Sequence, residues 1–182
     1  MKLTAQQLER TVYSLWDFQQ ALSALTFLLE DCDFDQNYTK VDLRRFRCYE
    51  TTLIVSMARP FEKSRGATAL SLRATGIRLE NAEKTLVDRI MALRRRIVAH
   101  SDEEEMHYRS NTFPVLEGTY NFPYVQFDEK LHLEEEELLQ LETLLRKLKQ
   151  RIAEFLFELA QEESGVLDRY KKPARLDRED DV

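Results

Sequence analysis

Apolar residues recur three and four positions apart over most of the chain. The clearest run is Leu138, Leu141, Leu145, Leu148, Ile152, Phe155 and Leu159, spaced 3-4-3-4-3-4. That is the repeat of a helix burying one stripe. Leu8, Val12, Leu15, Leu22, Leu25 and Leu29, thickened by Trp16 and Phe18, predict a first helix from Thr4 to Glu30. Thr4 and Gln7 form a candidate capping box at its start. Asp31 to Tyr38 read as a loop. Leu43, Phe46, Leu53, Ile54 and Met57 predict a second helix from Thr39, stopped where Pro60 disfavours helical geometry at Arg59. Leu86, Ile90, Leu93 and Ile97 predict a third, with Asn81 as its cap. The Leu138 run is the fourth, with Glu134 to Glu137 in its first turn favouring the helix dipole and Gly165 at its end. Gly66 and Gly76 bracket a Ser, Thr and Ala-rich stretch with room for one short helix.

The pattern changes between residues 106 and 127. Tyr108, Phe113, Tyr120, Phe122, Tyr124 and Phe127 crowd this segment, and Pro114, Gly118 and Pro123 interrupt it. A β-hairpin or extended flap fits, with most of these rings expected to cover the end of the helices. The expected fold is all-α: a four-helix antiparallel bundle with the aromatic-rich hairpin inserted between helices 3 and 4. Residues 1–164 form the domain, and 165–182 a tail whose end is expected to be disordered.

Composition narrows the field. The chain has 182 residues with four Gly and four Pro, where average usage gives roughly 22 of the two together. That scarcity excludes turn-rich sandwiches and barrels, and no Gly-rich phosphate loop is present. Cys32 and Cys48 are too few for a disulfide framework. The N-terminus lacks an apolar signal core, and no run reaches the length of a membrane span. A soluble cytoplasmic protein without membrane association is expected.

The net charge of −6 is unevenly distributed, with −4 over residues 1–39, +8 over 40–100 and −10 over 101–182. The basic middle third can form a face for a polyanion, or pair with the acidic fourth helix.

The densest chemistry lies there, in Leu93-Arg94-Arg95-Arg96-Ile97-Val98-Ala99-His100-Ser101-Asp102. An imidazole titrates near neutrality and can take a proton from a hydroxyl. A guanidinium matches a phosphate in a two-pronged grip. Together they form a minimal kit for cleaving RNA without metal. By spacing alone His100 continues the apolar stripe, as a hydrogen-bonded histidine at the edge of the core would, and the arginines can serve the helix C-terminus or the Glu134 cluster.

The nine residues from Arg94 to Asp102 resemble the signature of HEPN domains, an all-α family whose motif is Arg, four to six residues, then His, often ending in Ala-His. They also resemble its abortive-infection branch. The resemblance implies a metal-independent endoribonuclease, acting as a toxin or phage-defence effector, with RNA as substrate, a homodimer as the working form and an antitoxin or other regulatory partner. The alternative is a non-catalytic HEPN-like module that binds nucleotides or partners. No cofactor is implied. His100 matches the catalytic histidine. Arg94 and Arg95 both satisfy the spacing of the catalytic arginine; aligning Ile97 and Val98 with the family's aliphatic pair favours Arg94. Arg96 is assigned to RNA binding. The residue after the family arginine is usually Asn, Asp or His, and here it is another arginine. Asp102 stands where one toxin branch has tyrosine, so nucleotide addition there is not implied.

On an ideal helix, Arg94 and Arg95 point roughly 120–140° away from His100, and Arg96 lies near its face. Either the helix distorts before His100 or a second chain completes the site. Glu104-Glu105-Met106-His107 and Glu129-Lys130-Leu131-His132 are two Glu-x-x-His pairs, the motif of dinuclear metal sites in helical bundles. Such a site is disfavoured because both pairs flank the hairpin instead of sitting within helices, so no metal is expected.

Overall fold

The computed structural model describes residues 3–63, 68–98, 108–116, 119–127 and 130–170. Among them are four α-helices: α1 (Ala5–Asp31), α2 (Lys40–Ala58), α3 (Asn81–Leu93) and α4 (Glu135–Glu162). A two-stranded antiparallel hairpin, β1 (Tyr108–Val115) with β2 (Tyr120–Phe127), lies between α3 and α4 in the chain. The protein is mostly helical, and no described helix is long and apolar enough to cross a membrane.

Local chemistry sets the helix ends. The Thr4 hydroxyl accepts the Gln7 amide at 3.2 Å, and the Gln7 side chain accepts the Thr4 amide at 2.9 Å. This reciprocal pair satisfies two donors that the first turn leaves open. Thr39 caps α2 by accepting the Asp42 amide at 3.3 Å. At its other end α2 gives way to a 3₁₀ turn, Arg59–Phe61, around the buried Pro60. The α3 cap is Glu80, one residue before the expected Asn81; its amide donates to the Glu83 carboxylate at 2.7 Å. A carboxylate three residues further on thus closes the first turn, and Asn81 becomes the first residue of the helix. The short helix expected between Gly66 and Gly76 is absent from the described part of that stretch. Residues 72–76 form turns, closed where Gly76 adopts a φ of +67°; Gly66 lies outside the described residues.

The core gathers Phe18, Leu25 and Leu28 of α1, Phe46, Leu53 and Met57 of α2, Ile90 and Leu93 of α3, and Leu138, Leu141, Leu145, Leu148 and Ile152 of α4. Each such side chain contributes about 1.5–3 kcal/mol by leaving water. α1 packs on both α2 and α4, α2 on α3, and α3 on α4. Because α1 serves two neighbours, its buried surface is wider than one leucine stripe and takes in Thr11, Ser14 and Asp17. The Thr11 and Ser14 hydroxyls donate to the carbonyls four residues back at 2.8 and 2.7 Å, which permits their burial. Trp16, expected to thicken the stripe, instead stands 62% exposed. In α4 the buried position near the C-terminal end is Leu156, with Phe155 only partly covered. A strict 4-3 repeat drifts by about 20° per heptad on a straight helix, so three heptads move the seam from one residue to the next.

Asp17 ties α1 to the Pro60 turn. Its carboxylate lies 3.4 Å from Arg59 and 3.9 Å from Arg10, and the Arg10 Nε donates to the Thr68 carbonyl at 2.8 Å. Burial raises the Asp17 pKa, against the pull of these cations.

Glu50 of α2 is 1% exposed, and one of its oxygens accepts both the His132 amide at 2.7 Å and the Leu133 amide at 2.8 Å. Arg89 of α3 donates to the His132 carbonyl at 3.0 Å and faces Glu137 at 3.6 Å. Two helices thereby clamp the chain just before α4. Burial lifts the Glu50 pKa from 4.5 to about 7, although the two amides, Arg47 and Arg89 all favour the ionised form. The folded state therefore prefers a neutral Glu50, and unfolding releases its proton. Its stabilising contribution is complete below pH 4.5 and is lost as pH rises through about 7, amounting to roughly 3 kcal/mol. Glu50→Gln keeps a neutral acceptor, so thermal melts from pH 5 to 8 should show the wild type weakening with pH and the variant staying nearly level. Parallel curves would refute this account.

Candidate functional site

The arginine-rich motif begins where α3 ends. Leu86, Val87, Ile90 and Leu93 are buried and seat α3 in the core. At Arg94 the α geometry gives way to a π turn, Arg94–Val98. Such turns bond residue i to i+5, are rare, and occur often at functional sites. The sequence leaves two alternatives, a helix that distorts before His100 or a second chain that completes the site; the backbone departs from α geometry at Arg94.

The three arginines have different surroundings. Arg94 donates from Nη1 to the Glu62 carboxylate, and the side chains are 30% and 20% exposed respectively. Glu62 follows directly on the Pro60 turn, so this pair fastens the π turn to the end of α2. Arg95 and Arg96 are exposed. His100, with Ala99, Ser101 and Asp102, lies outside the described residues, so its distance to the arginines is not defined. The Glu62–Arg94 pair was not foreseen: 32 residues separate the partners, and no local pattern marks Glu62.

The other sequence candidates are dispersed. Glu104, Glu105, His107 and Glu129 lie outside the described residues. His132 is held through its backbone by Glu50 and Arg89. Among the described residues no group of three or more His, Cys, Asp or Glu side chains is arranged to hold a metal ion. The proposed pairing of the basic middle third with the acidic fourth helix is seen at Arg89–Glu137, whereas Lys147 of α4 reaches Glu83 of α3 at 2.7 Å in the opposite sense. Both cysteines are free; Cys32 is buried, with a thiol pKa raised chiefly by that burial, and Cys48 is exposed.

The hairpin also departs from expectation. Its register pairs Phe113 with Phe122 and Asn111 with Tyr124. Successive strand residues alternate faces, so Phe113, Tyr120, Phe122 and Tyr124 share one side. They are 46%, 62%, 57% and 47% exposed, so they do not cover the helices. The side chains of Tyr108 and Phe127 are outside the described set.

No family model, curated protein or solved structure matches this chain. Its functional reading therefore rests on its own residues.

A double-mutant cycle on Arg94→Ala and Glu62→Ala should return a coupling of about 1 kcal/mol, the upper range for a partly exposed pair. Arg95→Ala alone should leave stability within about 0.5 kcal/mol. Additive effects of the first two substitutions would show that the pair does not anchor the turn.

Proposed function

We propose that this chain is a metal-independent endoribonuclease of the HEPN type, working in the cytoplasm as a growth-arresting toxin or phage-defence effector under a regulatory partner such as an antitoxin. The observation that carries the reading is the π turn at Arg94–Val98, within the nine-residue motif. Such turns are rare and occur often at functional sites, and this one holds all three arginines of the motif. Of the two candidate arginines, Arg94 already holds a carboxylate, which would repel a phosphate. The assignment we favour is Arg95 on the scissile phosphate, Arg96 on the RNA backbone and Arg94 in a supporting role.

In this mechanism His100 removes the proton from a ribose 2′-hydroxyl. That oxygen attacks the adjacent phosphorus, the bond to the 5′-oxygen breaks, and the departing oxygen takes a proton. The products carry a 2′,3′-cyclic phosphate and a 5′-hydroxyl. Arg95 balances charge on the phosphorane, where a preorganised cation is most effective. DNA lacks the attacking hydroxyl and should resist.

The scaffold we infer is a four-helix antiparallel bundle, supported by packing that runs from α4 to α1, α2, α3 and back to α4. The working form is a homodimer, in which two motifs pool their groups. Its support is the resemblance to a family in which two motifs meet across a homodimer.

The deciding assay incubates purified protein with mixed RNA in EDTA. Wild type should cut, and His100→Ala should lose about 10²–10⁴ in rate with its melting temperature unchanged. Arg95→Ala should also lose most activity, and Arg94→Ala less. If His100 is instead a structural residue, its replacement should cost roughly 1–3 kcal/mol of stability. Light scattering should give twice the chain mass at micromolar concentration; a monomer throughout would remove the composite site. A stable protein that binds RNA and never cuts it would favour the non-catalytic module.

A further inference from the structure

The contacts around the Pro60 turn close a ring through one buried carboxylate. Asp17 of α1 lies 3.4 Å from Arg59, the first residue of the turn. The Pro60 carbonyl accepts the Leu70 amide at 2.7 Å. Just before Leu70, the Thr68 carbonyl accepts the Arg10 Nε at 2.8 Å, and Arg10 returns to Asp17 at 3.9 Å. At the exit of the turn, Glu62 holds Arg94. We propose that Asp17 is a positioning residue for the arginine-bearing π turn, acting on it through Arg59 and Glu62; the proposal rests on the ribonuclease reading for the chemistry the turn performs.

The Pro60 turn can transmit a position because it is stiff. Pro60 is buried, and its ring fixes φ. Phe61 packs on the fully buried Phe18, with ring centroids 5.9 Å apart. The Glu62 amide donates back to the Arg59 carbonyl at 3.3 Å. Glu62 therefore leaves α2 from a fixed root, and a shift of Arg59 moves that root. Arg94, Arg95 and Arg96 are consecutive in one turn, so the carboxylate that holds the first also holds the backbone from which the other two project. Asp17 and Arg94 need not touch, since coupling can run through a continuous chain of ion pairs and rigid backbone.

A buried ion pair of this sort contributes direction more than stability. Asp17 is 6% exposed and is the one acid among the buried residues of α1. Its desolvation opposes its attraction to Arg59 and Arg10, and burial raises its pKa against both cations. Apolar residues in place of such pairs are often as stable. An apolar residue at this position could not, however, set where the Arg59 guanidinium lies. Catalysis is sensitive to placement of that kind: a displacement of ~1 Å caused far from the reacting atoms can lower a rate ~100-fold.

The test uses the full chain with Arg59→Met, Arg59→Lys and Asp17→Asn. The Arg59 side chain is 53% exposed, so its replacement leaves the fold standing even if Asp17→Asn does not. Hydrogen exchange read by mass spectrometry should speed up over residues 94–98 by about fivefold or more in Arg59→Met and Asp17→Asn, with α4 unchanged. Arg59→Lys should restore most of the protection. With a labelled mixed-sequence RNA in EDTA, kcat of the first two variants should fall by about 10- to 100-fold, more than KM rises. Adding Arg59→Met to Glu62→Gln should cost little beyond Glu62→Gln alone, because both lie on one path. Unchanged exchange over 94–98 would overturn the proposal, as would equal acceleration along the whole chain, the mark of general destabilisation. Cutting by Arg59→Met at the wild-type rate would also overturn it. Local loosening in a protein whose wild type never cuts would keep the hold of Asp17 on the turn and remove the ribonuclease. Cutting by the wild type, with exchange over 94–98 unmoved in the variants, would do the reverse.

Discussion

The junction ahead of α4 depends on a buried carboxylate. Residues 132 and 133 enter the interior at the end of the hairpin and the start of the longest helix, and their two amides would otherwise be left without acceptors. Glu50 supplies one oxygen to both, and Arg89 takes the carbonyl between them. An unmet buried amide costs about 1–3 kcal/mol, so α2, α3 and α4 are joined through this small polar node as well as through their leucines. Burial works against ionisation and the amides work for it; burial prevails. The hairpin leaves and rejoins a helical body whose return point is fixed in this way.

The candidate site is built differently, on an open surface. It lies where α3 loses its regular winding, beside a turn stiffened by Pro60. Among the described residues, neither the cavity lined by Arg73, Arg151 and Glu158 nor the one lined by Trp16 and Lys149 includes Arg94, Arg95 or Arg96. A polymer substrate does not need an enclosing pocket, since its backbone can lie along a face. What such a face needs is cations that are held in place without being neutralised, and Arg94, paired with Glu62, does not meet that need.

Much of the helical layout was legible because it depends on local or periodic signals. Thr4 and Gln7 act across one turn, Pro60 acts on its neighbour, and the Leu138 run repeats without interruption. The hairpin was legible from its aromatics and breakers, but not the exposure of its rings, which depends on what the helices leave uncovered. Trp16 was misplaced because α1 buries small and polar residues whose hydroxyls find partners within the helix. Glu50 left a faint trace, since Phe46, Glu50, Leu53 and Met57 follow helical spacing and put a carboxylate on an apolar stripe. The Arg94–Glu62 pair left none. The π turn was half legible: the mismatch of angles between the arginines and His100 pointed to a distorted helix or a second chain without choosing.

The Arg94–Glu62 pair has an electrostatic consequence of its own. A cation that binds a nucleic-acid phosphate contributes to affinity largely by releasing condensed counterions, and each such contact steepens the dependence of log K on log salt. Arg94 already carries Glu62 as its internal counterion. Were it to move to a phosphate, the carboxylate left behind would have to recruit a mobile cation, offsetting the release. The three adjacent arginines should therefore count as fewer than three in a salt titration, with Arg94 adding little to the slope.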